Sequence, residues 1–486
     1  MTQRVLGFFL ALFLMPLAVA PNLAEARAAP ESFADLAEEL TPAVVSISTE
    51  SFVSGSGEGL PGVPEGTPFD EFFQEFFDRY GGDVPQESMP VSLGSGFIVD
   101  AEGYVVTNNH VIEEADKIVV ILDDGTELEA TLVGTDPKTD IALLKVDAGR
   151  LLPFVGFGNS DVVRVGDWAL AIGNPFGFGS SVTAGIISAR QRDIRSGPYD
   201  DFLQTDAPIN RGNSGGPLFN MDGEVVGVNT AIYSPSGGSV GIGFAVPSNL
   251  VSRVVDQLKE FGRTRRGWLG VRIQSITPEI AEAFGLPGDG GALVASVTPD
   301  GPAEGAGLEA GDVIVRFNGT EITEMRELPR AVADTDVGRA AEVIVIRNGE
   351  EMTFDVVLGE LEEFEQQLAS GTDAGQDEDA DDKQKPVSNN VLGMVVRPAT
   401  PELAQQMGLD PNVAGLIVTD LEPGSPAMRA GILPGDLVLE VGKETVDTVE
   451  AMAEQVEAAR DRESRSIVVR IERNGDAQYL AVQLGE

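Results

Sequence analysis

The sequence predicts a mainly β protein, a pair of barrels or sandwiches followed by two further β domains. Two observations carry this. From Thr41 to about Pro247, short runs of Val, Ile, Leu and Thr alternate with Gly, Asp and Asn turns, and many short strands at that spacing suggest a sandwich or barrel pair. Residues 292–314 and 416–438 then repeat at an offset of 124, with Pro302-Ala303 answering Pro426-Ala427 and Gly311-Asp312 answering Gly435-Asp436. Two copies are too few for a solenoid, so each reads as its own domain. A chain of 486 residues also exceeds what one core can organise, and about three domains fit it.

The first element is an address. Arg4 precedes a sixteen-residue apolar run, Val5 to Ala20, and Ala24-Glu25-Ala26 or Ala26-Arg27-Ala28 follows. A charged start, an apolar stretch and an A-x-A site read as a signal peptide over residues 1–28. The rival reading is a retained anchor, but the run is shorter than the 18 or so apolar residues of a span. The mature chain is expected to work outside the cytoplasm, which in a Gram-negative bacterium means the periplasm.

Composition removes whole classes of function. The formal net charge is −45, and such a surface repels phosphate backbones and anionic lipid, so nucleic acid is not expected as a partner. No cysteine is present and there is one histidine, His110. Disulfides, thiol catalysis and cysteine–zinc sites are excluded, and a two-histidine zinc site lacks its ligands. No metal or cofactor is expected.

In the barrel region, strands are expected at Ala43 to Ser48, Ser95 to Val99, Lys117 to Leu122, Ile141 to Val146 and Val225 to Asn229, with Asp123-Asp124-Gly125 as a hairpin turn. Residues 50–90 form an insert rich in Gly and Pro. Five phenylalanines lie between Phe69 and Phe77, and they need an apolar partner, either another subunit or lid or their own domain. A helix closes the unit. Ser248 caps it, Leu250, Val251, Val254, Val255 and Leu258 form its apolar stripe, and Gly262 follows its last turn.

The chemistry is concentrated in Asp206 to Leu218, where Ser214 stands among Gly212, Gly215 and Gly216. Glycines let the backbone turn sharply and present N–H groups, which suits a serine nucleophile whose oxyanion needs donors at about 3 Å. A Gly-x-Ser-x-Gly also fits the elbow of α/β-hydrolases, which run Ser, Asp, His. No histidine follows Ser214, so the available order is His110, an acid, then Ser214, the chymotrypsin order. Asp140, opening a buried-looking strand, is the acid of choice. Asp123, Asp124 and Asp136 sit in turn contexts and read as surface acids.

Three stretches, Thr107-Asn108-Asn109-His110-Val111, Asp140-Ile141-Ala142-Leu143 and Gly212-Asn213-Ser214-Gly215-Gly216, resemble the motifs of the Do/HtrA (Deg) serine proteases, from about Ser32 to the C-terminus. The resemblance implies a chymotrypsin-like double β-barrel over 32–262, with 50–90 a regulatory or oligomerisation loop. It implies Ser214 as nucleophile, His110 as base and Asp140 as its orienter, with an oxyanion hole at Gly212, Asn213 and Ser214. Pro208 to Arg211 is similar to a loop that turns over to complete that hole. Pocket walls are implied at Ile209, Ile232 and Tyr233, and a substrate-pairing strand runs through Thr230, Ala231, Ile232, Tyr233 and Ser234. Trypsin-like relatives place an Asp six residues before the nucleophile, where this chain has Pro208, so cleavage after small aliphatic residues is expected. The family also implies ATP-independent degradation of misfolded proteins, a homotrimer that can enlarge, and a chaperone or scaffold role as the alternative. Phe33 and Phe72–Phe77 are the candidate subunit contacts.

The repeated domains, 263–360 and 389–486, each open on a glycine motif, Trp268-Leu269-Gly270-Val271 and Val391-Leu392-Gly393-Met394. These look like the loops of PDZ domains, where backbone N–H groups receive a peptide C-terminus and the peptide adds a strand to a sheet edge. Leu269, Gly270, Val271, Leu392, Gly393 and Met394 are thus the candidate peptide-binding residues. The alternative is two structural modules with occluded grooves. Glu360 to Asp382 holds ten acidic residues and no basic ones, so 361–388 is expected to be a flexible, self-repelling linker. Arg263, Arg265 and Arg266 mark a hinge before the first repeat.

Overall fold

The structure, a computed structural model, describes residues 30–50, 90–370 and 389–484, apart from 114, 174–179, 211, 236–237, 287, 408 and 412. The expected signal peptide, the Phe69–Phe77 cluster and residues 371–388 lie outside the described residues.

Short helix α1 (Ala34–Leu40) leads into the first barrel. Its strands are β1 (Val44–Glu50), β2 (Pro90–Ile98), β3 (Tyr104–Thr107), β4 (Lys117–Ile121), β5 (Glu127–Asp136) and β6 (Ile141–Val146), closed in the order β1-β2-β3-β6-β5-β4. The second barrel comprises β7 (Trp168–Gly173), β8 (Ser181–Arg192), β9 (Phe202–Thr205), β10 (Pro217–Phe219), β11 (Val225–Ile232) and β12 (Gly243–Pro247), closed as β10-β11-β12-β9-β8-β7. Closure gives every barrel strand a neighbour on both sides, and each interior is filled with aliphatics, Ile47, Val120 and Leu144 in one and Ala169, Ile187 and Val226 in the other. The barrels meet through Phe97, Ile141, Leu170, Phe219 and Phe244.

Helix α2 (Ser248–Phe261) lies across both barrels and buries Val251, Val254, Val255 and Leu258, each side chain contributing roughly 1.5–3 kcal/mol. Gly262, at φ 69, ends it with its N–H on Leu258 C=O. Ser248 does not cap the helix. Its hydroxyl donates to Gly158 C=O at 2.6 Å, tying the helix start to a loop of the second barrel, and Pro247 holds the cap position.

The first repeat contains β13 (Gly267–Trp268), β14 (Val271–Gln274), α3 (Pro278–Phe284), β15 (Ala292–Val297), α4 (Pro302–Ala306), β16 (Val313–Phe317), β17 (Thr320–Glu321), α5 (Glu327–Ala333), β18 (Ala340–Arg347), β19 (Glu350–Val357), β20 (Gly359–Glu360) and α6 (Leu361–Ser370). The second contains β21 (Asn389–Val391), β22 (Met394–Pro398), α7 (Pro401–Gln406), β23 (Leu416–Leu421), α8 (Pro426–Arg429), β24 (Leu437–Val441), β25 (Glu444–Thr445), α9 (Val449–Asp461), β26 (Ser466–Arg473) and β27 (Asp476–Gln483). Local chemistry repeats with the sequence. Thr277 and Thr400 each accept the third helical N–H at 3.3 Å, with Pro278 and Pro401 as first helical residue. Leu293 and Val313 of one repeat pack with Val468 and Tyr479 of the other, and the Gln274 side-chain amide pairs with both backbone groups of Tyr479 at 3.0 and 2.7 Å.

The acidic segment departs from expectation. Its first ten residues form α6, whose Phe364 ring stacks on Trp268 at 4.0 Å. Glu360 is buried between Arg263 and Arg265, so the arginines form a clamp rather than a hinge. A run of like charges holds structure here because opposite charges from the preceding segment face it.

Candidate active site

His110 follows β3 in a single turn of 3-10 helix, Asn109–Val111. Its ring Nδ1 lies 2.6 Å from Asp140 Oδ2, and its backbone N–H donates to Asp140 Oδ1 at 2.9 Å. Asp140 stands between β5 and β6 at φ 57, a left-handed conformation that aspartate tolerates better than most residues. Its carbonyl is also held, by Asn109 N–H at 3.1 Å and Asn108 Nδ2 at 2.7 Å. Both ends of Asp140 are therefore fixed on the segment that carries His110. With Nδ1–H directed to the carboxylate, Nε2 is the nitrogen left to accept a proton.

Ser214 belongs to the second barrel but is secured by the first. Ser95 N–H donates to Ser214 C=O at 2.9 Å, and Ser95 Oγ donates to Gly212 C=O at 2.6 Å. Gly215, at φ 82, is wedged under the same strands. A Cβ there would lie 2.2 Å from Ser95 C=O oxygen, 2.3 Å from Thr107 Oγ1 and 3.0 Å from Asn108 N, so no side chain fits. That contact brings the serine turn to the end of β3, two residues from the histidine. No hydrogen bond joins the Ser214 hydroxyl to the ring among the described residues; the recorded partner of the ring is Asp140.

Gly212 has φ 96, and the N–H groups of Gly215 and Gly216 are taken by Asn229 C=O at 2.8 Å and Asn213 C=O at 3.0 Å. Asn213 N–H donates to Asn210 C=O at 3.1 Å. Of the three expected oxyanion residues, Asn213 thus has its N–H committed to Asn210, whereas those of Gly212 and Ser214 have no backbone partner among the described residues. Arg211 lies outside the described residues.

β11 pairs with β10 only through Val228, while β12 lines its other side as far as Ile232 opposite Gly243. Thr230, Ala231 and Ile232 therefore keep an unpaired backbone edge among the described residues, Tyr233 N–H donates to Ile242 C=O at 3.0 Å, and the Ser234 hydroxyl donates to Gly238 C=O at 2.5 Å. Of the expected pocket residues, Ile209 is 2% exposed and packs in the second barrel with Ile232 against the same cluster, while Tyr233 is 62% exposed. A cavity of about 350 Å³ also opens beside His110 and Asp140, reaching Tyr199, Thr230 and Leu250.

Asp136 is not a surface acid. It is 1% exposed, and its Oδ2 accepts from the Thr139 hydroxyl and the Arg266 guanidinium. Arg266 also meets Glu362 at 3.1 Å and lies over the Tyr199 ring at 4.8 Å. Burial pushes the Tyr199 hydroxyl up to about 12. The residue before Asp140 is thereby tied to the segment leading into the first repeat. Arg266 lies 130 residues from Asp136, and no local pattern announces the pair.

In the first repeat Leu269 is buried and Gly270 has φ 80, with β14 following as an edge strand. In the second, Leu392 has φ 58 and Gly393 φ 79, and Met394 is already paired with Val391.

Comparison with known proteins agrees with these parts. Residues 94–228 match the trypsin-like peptidase domain family, and residues 267–358 and 417–471 match PDZ domain families. A probable periplasmic serine endoprotease DegP-like of Brucella suis is 41% identical over 480 residues, covering 93% of this chain and 90% of the relative. The equivalent protein of Ectopseudomonas mendocina is 43% identical over 468 residues, covering 95% of each. The solved structure of an HtrA-type protease, AlgW with decapeptide, is 45% identical and superposes with a TM-score of 0.56 over 68% of this chain and 98% of that one. With a trypsin-like double barrel, two PDZ domains and identity at this level along nearly its whole length, the chain belongs to the DegP-like, HtrA-type serine endoproteases.

Proposed function

We propose that this endoprotease cleaves unfolded extracytoplasmic proteins, without ATP, through an acyl-enzyme on Ser214. The observation that carries the reading is the two-point hold of Asp140 on His110, which leaves Nε2 as the base on the segment against which the serine turn is wedged. Ser214 Oγ attacks the peptide carbonyl as His110 takes its proton and later returns it to the leaving amine. The gap between hydroxyl and ring closes when substrate fills the cleft, as catalytic hydrogen bonds tighten in the Michaelis complex. Gly212 and Ser214 N–H groups receive the oxyanion; losing one such donor typically lowers kcat by about 10²–10³. The free edge of Thr230 to Ser234 pairs with the substrate backbone. With Pro208 in place of an acid, small aliphatic side chains such as Val, Ala and Ile precede the cut.

The first PDZ domain receives peptide C-termini on β14, an arrangement in keeping with the decapeptide held by the AlgW structure. The relatives' periplasmic naming supports the same compartment for this chain. A homotrimer is the assembly we propose; within the chain, Phe33 packs edge-on to Trp168, itself 37% exposed.

Ser214→Ala tests the nucleophile. Casein degradation is expected to stop, and the fragments from the unaltered protein are expected to end mainly in Val, Ala or Ile. Continued degradation by Ser214→Ala removes the assignment, and cuts mainly after Lys or Arg overturn the pocket reading.

A further inference from the structure

The two PDZ glycine loops are anchored alike. Ala303 N–H donates to Leu269 C=O at 2.9 Å and Thr298 N–H to Gly270 C=O at 2.9 Å; Ala427 N–H donates to Leu392 C=O at 3.3 Å and Glu422 N–H to Gly393 C=O at 2.8 Å. The strands that enter the loops go different ways. In the first domain β13 pairs with β20, Gly267 opposite Glu360, which carries the chain away from β14. β14 then has β15 on one side and no strand on the other among the described residues.

In the second domain β21 folds back onto β22, with Val391 opposite Met394, Asn390 opposite Val395 and Asn389 opposite Val396. Leu392 and Gly393 form a two-residue turn with both residues left-handed, the geometry that matches strand twist in tight hairpins. Leucine rarely adopts that conformation. On its other side β21 lies next to α9. The Val391 side chain, 9% exposed, shares an apolar cluster with Val449, Met452 and Val456 of that helix.

An extended segment, antiparallel to the strand after the glycine loop, with an apolar side chain sunk in the core, is how a PDZ groove receives a peptide. We propose that Asn389–Val391 is the resident ligand of the second PDZ domain, whose groove is an intramolecular binding site closed to peptides from outside. This rests on the peptide-receiving role given above to the first domain. A segment tethered by two residues competes at an effective concentration on the order of mM or higher, so a free peptide at micromolar concentration does not displace it. The chain then offers one open PDZ edge, β14.

The test counts peptides bound per chain. A fluorescent decapeptide ending in Val, the residue seated in the second groove, is titrated against the full chain carrying Ser214→Ala to prevent cleavage. One peptide per chain is expected. Asn389→Pro removes a ladder N–H at the end farthest from the turn, Val391→Thr removes the apolar anchor, and either is expected to raise the count to two. Two peptides on the parent chain, or an unchanged count in variants whose thermal melting shows folded domains, overturns the proposal. A parent that binds none and an Asn389→Pro variant that binds one uphold this inference and sink the reading of the first domain; none on either sinks both. Hydrogen exchange decides without any variant beyond the Ser214→Ala parent. Amides across 389–396 are expected to be protected, and exchange at the rate of an unstructured chain overturns the proposal.

Discussion

Asp312 and Asp436 occupy equivalent places in the two PDZ domains. Each is 1% exposed, accepts a backbone N–H three residues earlier, at 2.9 Å from Glu309 and 2.8 Å from Leu433, and receives a two-pronged arginine, Arg347 or Arg473. Each arginine also donates to a glycine carbonyl, Gly307 or Gly431, at 2.8 Å. The interior of the repeat is thus duplicated down to single hydrogen bonds, whereas the strand entering each glycine loop is not. A shared core does not dictate what its edge does. Edge pairing is decided by the few residues that flank the core, and those differ between Gly267-Trp268 and Asn389-Asn390-Val391.

Three measurements press on that contrast. The largest effect is expected from Asp312→Ala and Asp436→Ala. Each strands a partly buried guanidinium and a backbone donor, at about 3 kcal/mol, and the two losses should match, read as local unfolding by hydrogen exchange in each domain. Clearly unequal losses would show that the cores are less alike than their contacts. Next come Gly270→Ala and Gly393→Ala. Both place a side chain at positive φ, but a Cβ at Gly270 meets Pro302 Cδ at 3.1 Å while one at Gly393 would sit 2.2 Å from Ser425 Cβ. Gly393→Ala is expected to cost about 1–3 kcal/mol more than Gly270→Ala in denaturant unfolding, and parity would place the tight approach in the wrong domain.

The smallest effect is a pH dependence confined to the first domain. Burial pushes the Glu360 carboxyl up, but Arg263 and Arg265 outweigh it and hold it below its ordinary 4.5. A carboxylate with a depressed folded pKa stabilises the fold above its unfolded pKa, and that contribution fades as pH falls through the folded value. Acidification below about pH 4.5 should therefore speed amide exchange at residues 267–268, which pair with β20. No comparable step is expected at 389–391 from this source, since β21 pairs with β22 instead.

Much of this was legible in the sequence because it is local. The glycine turn at Ser214, the histidine after β3 and the apolar stripe of α2 each announce themselves within a dozen residues, and the repeat shows as short matching motifs at a fixed offset. Asp136 misled because its partner Arg266 is distant in sequence, and a Thr-Asp-Pro context looks like any surface turn. The start of the acidic segment misled because composition weighs charges without their neighbours. Leu361 and Phe364 give α6 an apolar face, and Arg266 and Lys138 meet its glutamates at 3.1 and 2.5 Å. The Leu-Gly pair in each PDZ loop was readable; which way the preceding strand ran was not, since both routes use extended backbone.

The bond from Ser95 N–H to Ser214 C=O crosses from one barrel to the other. The serine turn therefore assumes its shape only after both halves have folded and docked. A chain with only one half finished lacks the arrangement, and so is harmless to its sister chains until the last strand of the pair has closed.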